Sequence, residues 1–302
     1  MSARPVVVAV VGASGFVGAA IAEAFRDGGQ EVVSIVAPRI LGESRPLSEH
    51  IAVAESLALS RPTLISSLRG ADVVINAAGL ARPDSQATSA LFGANALLPL
   101  VLFIAAKLAG VRRFVHISSI AVQGNHNPLD ASRRVFPFSP YSESKAMGET
   151  LLLKAADSDT QLPKLSIVRA SSVHDETRET TQRLISFARS PFASVPGRGL
   201  SPSPVSSLNG LAVCVAGVAL GEPSEITVQP WEGETVFDVL ARYGGKPPRR
   251  LPAWVCRTVL TVANRVARWT NNSAFQGSAR RLEVLWYGQS IVAVSDGEAQ
   301  EQ

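Results

Sequence analysis

An apolar run from Val6 to Val11 ends in Gly12-Ala-Ser-Gly-Phe-Val-Gly18 and passes directly into the helix-forming residues Ala19 to Phe25. A buried parallel strand, a corner poor in side chains and a helix form the opening of a βαβ unit, the setting a dinucleotide site requires. Each glycine has a task there. Gly12 lets the chain turn sharply, Gly15 lets backbone approach a pyrophosphate, and Gly18 lets the helix pack close to the sheet. The anion then rests on unpaired N–H groups at the helix start. Taken alone, the same triplet also suits an ordinary strand-turn-helix corner.

Tyr141-Ser-Glu-Ser-Lys145 is the second constraint. If residues 141 to 153 are helical, Tyr141 and Lys145 share one face. A free phenol titrates near pH 10, and a neighbouring ammonium favours phenolate, which brings proton exchange with a substrate hydroxyl within reach of working pH. By itself the pair reads equally as two exposed residues of an amphipathic helix. The intervening chain weighs against that reading. Ala71 to Gly79 is an apolar strand ending in small residues, and Arg112 to Ser119 is another ending in hydroxyls. In open α/β sheets, ligands bind at such carboxyl ends.

These motifs together, with Asn95, Ser118-Ser119-Ile-Ala-Val-Gln-Gly124 and Val168-Arg169, resemble the extended short-chain dehydrogenases/reductases of the NAD-dependent epimerase/dehydratase family over about Val6 to Val173. The resemblance implies an α/β fold, a doubly wound parallel Rossmann sheet with a small C-terminal substrate-binding region. It divides the chain into residues 1–172, a dinucleotide-binding domain, and 173–302, a substrate region partly interleaved with it. It implies Tyr141 as the proton-exchanging acid or base, Lys145 as the group that lowers its pKa and holds the nicotinamide ribose, and Ser119 as the hydroxyl bonded to the reacting oxygen. Cofactor contacts are implied at Gly12, Ser14, Gly15, Phe16, Val17, Gly18, Ala77, Ala78, Gly79, Asn95, Ser118, Tyr141 and Lys145. A homodimer through Leu91–Gly110 and Pro140–Leu153 is also expected.

The resemblance implies a nicotinamide cofactor, NADP or NAD. After the strand Val32 to Ala37 comes Pro38-Arg39 with no acid before Glu43. An Arg there accommodates a 2′-phosphate, whereas an acid would hold a free 2′-hydroxyl. Arg39 therefore tilts the choice towards NADP, though an arginine stacked on adenine leaves NAD open.

The substrate side departs from the family pattern. Gln123 stands where Tyr is usual, Ala170 replaces Pro, Val173-His174-Asp175 replaces a Val-Tyr-Gly turn, and Ser203 replaces an Arg. Gln123, Arg280 and Arg281 are the substrate-binding candidates, the arginines because a guanidinium fork matches a diphosphate. They also suit a solvated surface. Ile120-Ala121 follows Ser119 where dehydratases carry Asp-Glu, which disfavours dehydration. The expectation is an epimerase or ketoreductase acting on a nucleotide sugar, in surface-polysaccharide or cell-wall assembly. The alternatives are an NADPH-dependent reductase of a non-sugar carbonyl and a non-catalytic NADP-binding sensor, for which a low-pKa phenol has no use.

The rest of the chain fits a cytoplasmic enzyme. With 46% hydrophobic residues and a net charge of +4, it can bury a large core and carries no signature of nucleic-acid binding. The first strand is expected within about five residues of the start, and no signal or transit peptide is expected. Leu91 to Val111 reaches membrane-spanning length, but Asn95, Pro99 and Lys107 interrupt it, and no stable span is expected. Cys214 and Cys256 read as buried reduced thiols, and the four scattered histidines suggest no metal site. Pro191 to Pro204 reads as a long loop. In Leu251 to Trp269, Trp254, Val255, Val259, Val262, Val266 and Trp269 recur at helical spacing among Arg257, Arg265 and Arg268. That segment reads first as a helix of the appended region and second as a membrane-surface contact.

Overall fold

The computed structural model describes residues 4–42, 47–80, 86–124, 126–159, 163–175, 179–269 and 273–292. It separates into two compact units, one comprising Met1–Gly124, Arg133–Asp175 and Ser206–Gln229, the other Asn125–Ser132, Glu176–Val205 and Pro230–Gln302.

The first unit is built on a parallel sheet. Its strands are β1 (Val7–Val11), β2 (Glu31–Ile35), β3 (Val73–Asn76), β4 (Arg113–Ser119), β5 (Lys164–Ala170) and β6 (Ile226–Val228), in spatial order β2-β1-β3-β4-β5-β6. Every pairing is parallel, with β1 between β2 and β3. The chain runs from β1 to one side and returns to the other, so the order reverses beside β1, where open α/β sheets bind ligands.

Side-chain alternation builds two cores. Ala9, Val11, Val74, Phe114 and Ile167 face one layer, formed by α2 (Leu47–Leu59), α3 (Pro62–Leu68), α5 (Leu98–Leu108) and α6 (Pro140–Ser158). Val8, Val10, Ile75, Val115 and Val168 face the other, formed by α1 (Phe16–Asp27) and α7 (Leu208–Leu220). Strands covered on both faces read as continuous apolar runs, which is why β1 and β3 carry no polar alternation.

A short helix α4 (Ser89–Phe92) continues through a π-helical turn, Gly93–Leu97, into α5. The joined segment Ser89–Leu108 is long and apolar enough by length and composition to cross a membrane. In this unit it is a core helix, with Leu98, Leu100, Val101, Leu102, Phe103, Ala105 and Ala106 buried between the sheet and the helices α2, α3 and α6.

The second unit contains the helices Glu179–Arg189, Val236–Gly244, Ala253–Trp269 and Ser273–Tyr287. The loop expected over Pro191 to Pro204 contains a short strand, Ser194–Pro196, paired in parallel with Arg249–Leu251. That pairing joins segments far apart in sequence, so local composition carried no sign of it. Ala188, Val195, Val236 and Leu240 form one buried cluster, and Cys256, Leu260 and Trp286 another. Cys214 and Cys256 are free thiols whose pKa values burial pushes up.

Candidate active site

The site is built from the carboxyl ends of β1, β3 and β4 and from two helices packed on one another. At the end of β1, Gly12 adopts φ 84° and its N–H donates to the Ile35 carbonyl at 3.0 Å. A Cβ on Gly12 would lie 2.9 Å from the Ala78 backbone. The Gly15 N–H closes the turn onto Gly12 O at 2.9 Å, and a Cβ on Gly18 would lie only 2.1 Å from that oxygen. Gly12 and Gly18 therefore admit no side chain.

Gly15 caps α1 without a side-chain hydrogen bond, and the first helical turn contains no acid. The positive end of the helix dipole thus has no anion from its own turn, at a corner where Ser14 and Gly15 are exposed and Phe16 and Val17 half-buried. A side-chain-free cradle with an uncompensated helix N-terminus fits the pyrophosphate of a dinucleotide. Gly12, Ser14, Gly15 and the first turn of α1 are the residues that would hold it. Arg39 lies beyond β2 and is exposed.

At the end of β3, the Ala78 N–H donates to Asn76 Oδ1 at 3.1 Å, and Asn76 Nδ2 donates to His116 Nδ1 at 3.1 Å. An amide N–H₂ only donates, so this contact puts the His116 proton on Nε2. Burial, with the charge of Lys145, holds the His116 pKa well below its ordinary value and keeps the ring neutral. Ala77 is half-buried and Gly79 exposed beyond this bracket.

Asn95, fully buried, locks the next residue. Its Oδ1 accepts from Leu80 N at 2.9 Å, and its Nδ2 donates to Leu80 O at 3.0 Å and to Ser144 Oγ at 3.0 Å. It sits in the π-helical turn, a local widening frequent at functional sites. Helix α6 approaches closely because Gly148 has no side chain. A Cβ there would lie 2.3 Å from Asn95 O.

Helix α6 presents Tyr141, Ser144 and Lys145. It begins in a reciprocal cap, with Ser139 Oγ accepting from Ser142 N at 3.3 Å and Ser142 Oγ accepting from Ser139 N at 2.9 Å. Pro140 occupies the first turn, where its missing N–H costs nothing. Lys145 is buried, and its Nζ donates to Ile117 O at 2.9 Å, two residues before Ser119 on β4. A Cβ on Gly79 would lie 3.2 Å from Nζ and 2.8 Å from Asn95 Oδ1, so the ammonium lies against the ends of both β3 and β4. Burial pulls the Lys145 pKa from 10.5 down to about 8, with Glu149 opposing. Tyr141 is half-buried one turn earlier, and its carbonyl accepts from Ser144 Oγ at 2.7 Å.

At the end of β4, Ser119 is half-buried. Its Oγ accepts from Ala121 N at 3.2 Å, which leaves the hydroxyl proton for another acceptor. Ser118 is buried, and its Oγ has no hydrogen-bond partner among the described residues.

The substrate candidates are placed differently. Gln123 is fully buried, with Nε2 donating to Arg134 O at 3.0 Å. In the second unit, Arg280 pairs with Glu283 at 2.8 Å, and Arg281 is exposed.

Three supporting groups escaped sequence reasoning. Ser144 links Asn95 to the Tyr141 carbonyl, and its place between Tyr141 and Lys145 was the available sign. Glu149 lies one turn after Lys145 and forms a fully buried ion pair with Arg169 of β5, Nη2 to Oε2 at 2.7 Å. His116 reads in the sequence as a strand residue and as one of four scattered histidines.

Comparison with known proteins agrees with this architecture. A family model described as the NAD dependent epimerase/dehydratase family matches residues 8–189, more than half of the chain. A 3beta-hydroxysteroid dehydrogenase/Delta(5)-Delta(4) isomerase of Caenorhabditis elegans is 24% identical over 63% of this chain and 42% of its own length. A 4-hydroxy-2-methyl-3-oxo-4-farnesyl-3,4-dihydroquinoline-1-oxide ketoreductase of Stigmatella aurantiaca is 38% identical over 32% of this chain and 30% of its own. The matches thus span less than half the length of either curated relative. Among solved structures, the UDP-glucuronic acid 4-epimerase of Bacillus cereus in complex with NAD superposes with a TM-score of 0.60 at 16% identity, covering 81% of this chain and 85% of that one. At that identity the likeness concerns the fold.

Proposed function

The chain belongs to the NAD-dependent epimerase/dehydratase family, and from that premise we propose that it is an NAD(P)-dependent enzyme of the extended short-chain dehydrogenase type, an epimerase or ketoreductase of a nucleotide sugar. The observation that carries the reading is the seating of Lys145. A buried ammonium, bonded to Ile117 O and lying against Gly79, sits one turn from Tyr141 at the ends of two strands.

A bound nicotinamide supplies hydride exchange with a carbinol or carbonyl carbon. The protein then has to move a proton at the oxygen of that carbon. In this reading the Tyr141 phenol gives or takes it, and the Lys145 ammonium favours the phenolate by proximity. The Ser119 hydroxyl donates to the same oxygen. Asn95, through Leu80 and Ser144, holds β3 and α6 at the separation the site needs.

Support for a nucleotide sugar comes from the fold-level likeness to a UDP-sugar epimerase. That structure contains NAD, while Arg39, exposed beyond β2 and followed in sequence by no acid before Glu43, favours NADP here. Cytoplasmic location and a homodimer through α5 and α6 belong to the same proposal. One observation favours a second reading, reduction of an apolar non-sugar ketone: both curated relatives are named for steroid or farnesylated quinoline substrates. The test follows nicotinamide absorbance, for net reduction, and chromatographic detection of the epimerised sugar, for a cycle that regenerates its cofactor, on purified protein with NADPH, NADH, NADP and NAD against two panels, UDP- and dTDP-linked sugars and apolar ketones. Turnover confined to the first panel supports the sugar assignment, and turnover confined to the second overturns it in favour of the ketone reading. Cofactor binding without turnover on either panel contradicts both and favours a sensor.

A further inference from the structure

The helix Ala253–Trp269 carries two apolar faces. One holds Cys256, Leu260 and Ala267, all buried, and Cys256 and Leu260 pack with Trp286 of the helix Ser273–Tyr287. The other is a stripe at helical spacing, Val255, Val259, Val262, Val266 and Trp269. Val262 is 55% exposed and Trp269 88% exposed, while Val255 is half-buried. Trp254, 71% exposed, flanks the stripe at the first turn. The inner face packs one buried cluster of this unit, and the outer stripe lies outside it, with Val259 43% and Val266 39% exposed.

The segment that carries the stripe has charges of one sign. From Lys246 to Trp269 there are six cations (Lys246, Arg249, Arg250, Arg257, Arg265 and Arg268) and no Asp or Glu. Arg249, Arg250, Arg257 and Arg265 are exposed, and the Arg268 side chain lies outside the described residues. A chain of net charge +4 concentrates more than its whole excess in these residues. We propose that this helix is a membrane-surface element that lays its Val/Trp stripe into the headgroup boundary of an anionic bilayer.

Indole rings at the two ends of the helix suit the headgroup level, and valines between them suit the acyl boundary just beneath. Arg257 and Arg265 lie outside the valine stripe and meet lipid phosphates from above. Seventeen residues with arginines on the outer surface lie along a bilayer rather than across it. A segment whose charges are all cationic matches an extended anionic plane, whereas protein surfaces present both signs.

The experiment is co-sedimentation of the full chain with vesicles of phosphatidylglycerol and phosphatidylcholine, against phosphatidylcholine alone. Binding is expected only to the anionic vesicles, weakened about tenfold or more by Arg257→Gln with Arg265→Gln. Val262→Asp, at an exposed position, reduces it to a similar degree. Lipids brominated along the acyl chain quench tryptophan fluorescence in the wild type, and Trp254→Phe with Trp269→Phe removes most of that quenching. Equal binding to both vesicles, no binding to either, or indifference to Val262→Asp overturns the proposal. A lipid-free dimer that Val262→Asp dissociates assigns the stripe to a second copy and overturns it as well.

Discussion

Lys145 Nζ donates to the carbonyl oxygen of Ile117 at 2.9 Å, which ties the ammonium of α6 to the strand that ends in Ser119. The contact is buried, so the charge has exchanged water for one carbonyl and the field of Glu149. Its consequences are measurable.

The first concerns stability against pH. The Lys145 pKa falls from 10.5 in the unfolded chain to about 8 in the folded one. Between those values the unfolded state binds more protons, so this group makes stability rise with pH. The burden of the buried charge is full below about pH 8 and fades towards pH 10.5. Urea unfolding of wild type and Lys145→Met across that window is expected to differ in slope, with the rising contribution absent from the variant. Parallel slopes would place the Lys145 pKa at its ordinary value.

The second concerns the Glu149–Arg169 pair, which is fully buried. Removing one partner strands the other charge, so Arg169→Met is expected to cost about 3–5 kcal/mol in denaturant unfolding. Adding Glu149→Leu to it should recover most of the loss. Glu149→Gln should also move the pH window of Lys145 downwards, because Glu149 is the group that raises its pKa.

The third concerns the approach of α6 to the π-helical turn. Gly148→Ala places a Cβ 2.3 Å from Asn95 O, which forces the helix outward and carries Tyr141 and Lys145 with it. Misplacement by about 1 Å costs on the order of 100-fold in rate. The expected result is a large fall in kcat with a melting temperature only a few degrees lower.

The fourth concerns cofactor choice. If Arg39 meets a 2′-phosphate, Arg39→Asp removes a charge-assisted hydrogen bond and is expected to raise the NADPH Kd about tenfold or more. The NADH Kd should stay level or fall. Equal changes, read by fluorescence titration, would remove Arg39 from the contact.

What was legible in the sequence was whatever local spacing encodes. Gly12 and Gly18 announced their corner because the turn and the helix it opens are contiguous, and the apolar runs of β1, β3 and β4 reported burial on both faces. Tyr141 and Lys145 were legible because four residues make one helical turn. Asn95 was found through family resemblance, but its π-helical turn was not, since that distortion sits where the distant Gly148 lets α6 come close. Glu149 and Arg169 look like surface charges when read singly. Only the docking of α6 on β5, 20 positions apart along the chain, makes them a buried pair. The apolar helix near residue 100 shows the converse: its composition suits lipid, and the sheet and the helices packed around it supply the same environment.

The central claim is that the Tyr141 phenol, beside the Lys145 ammonium, exchanges the proton that accompanies hydride transfer. Once a substrate is in hand, the most direct test is a single-turnover measurement of nicotinamide absorbance with wild type and Tyr141→Phe, alongside the cofactor Kd of each. The expected result is a loss of about 100-fold or more in the transfer rate with the Kd within about twofold of wild type. An unchanged rate in the variant would contradict it.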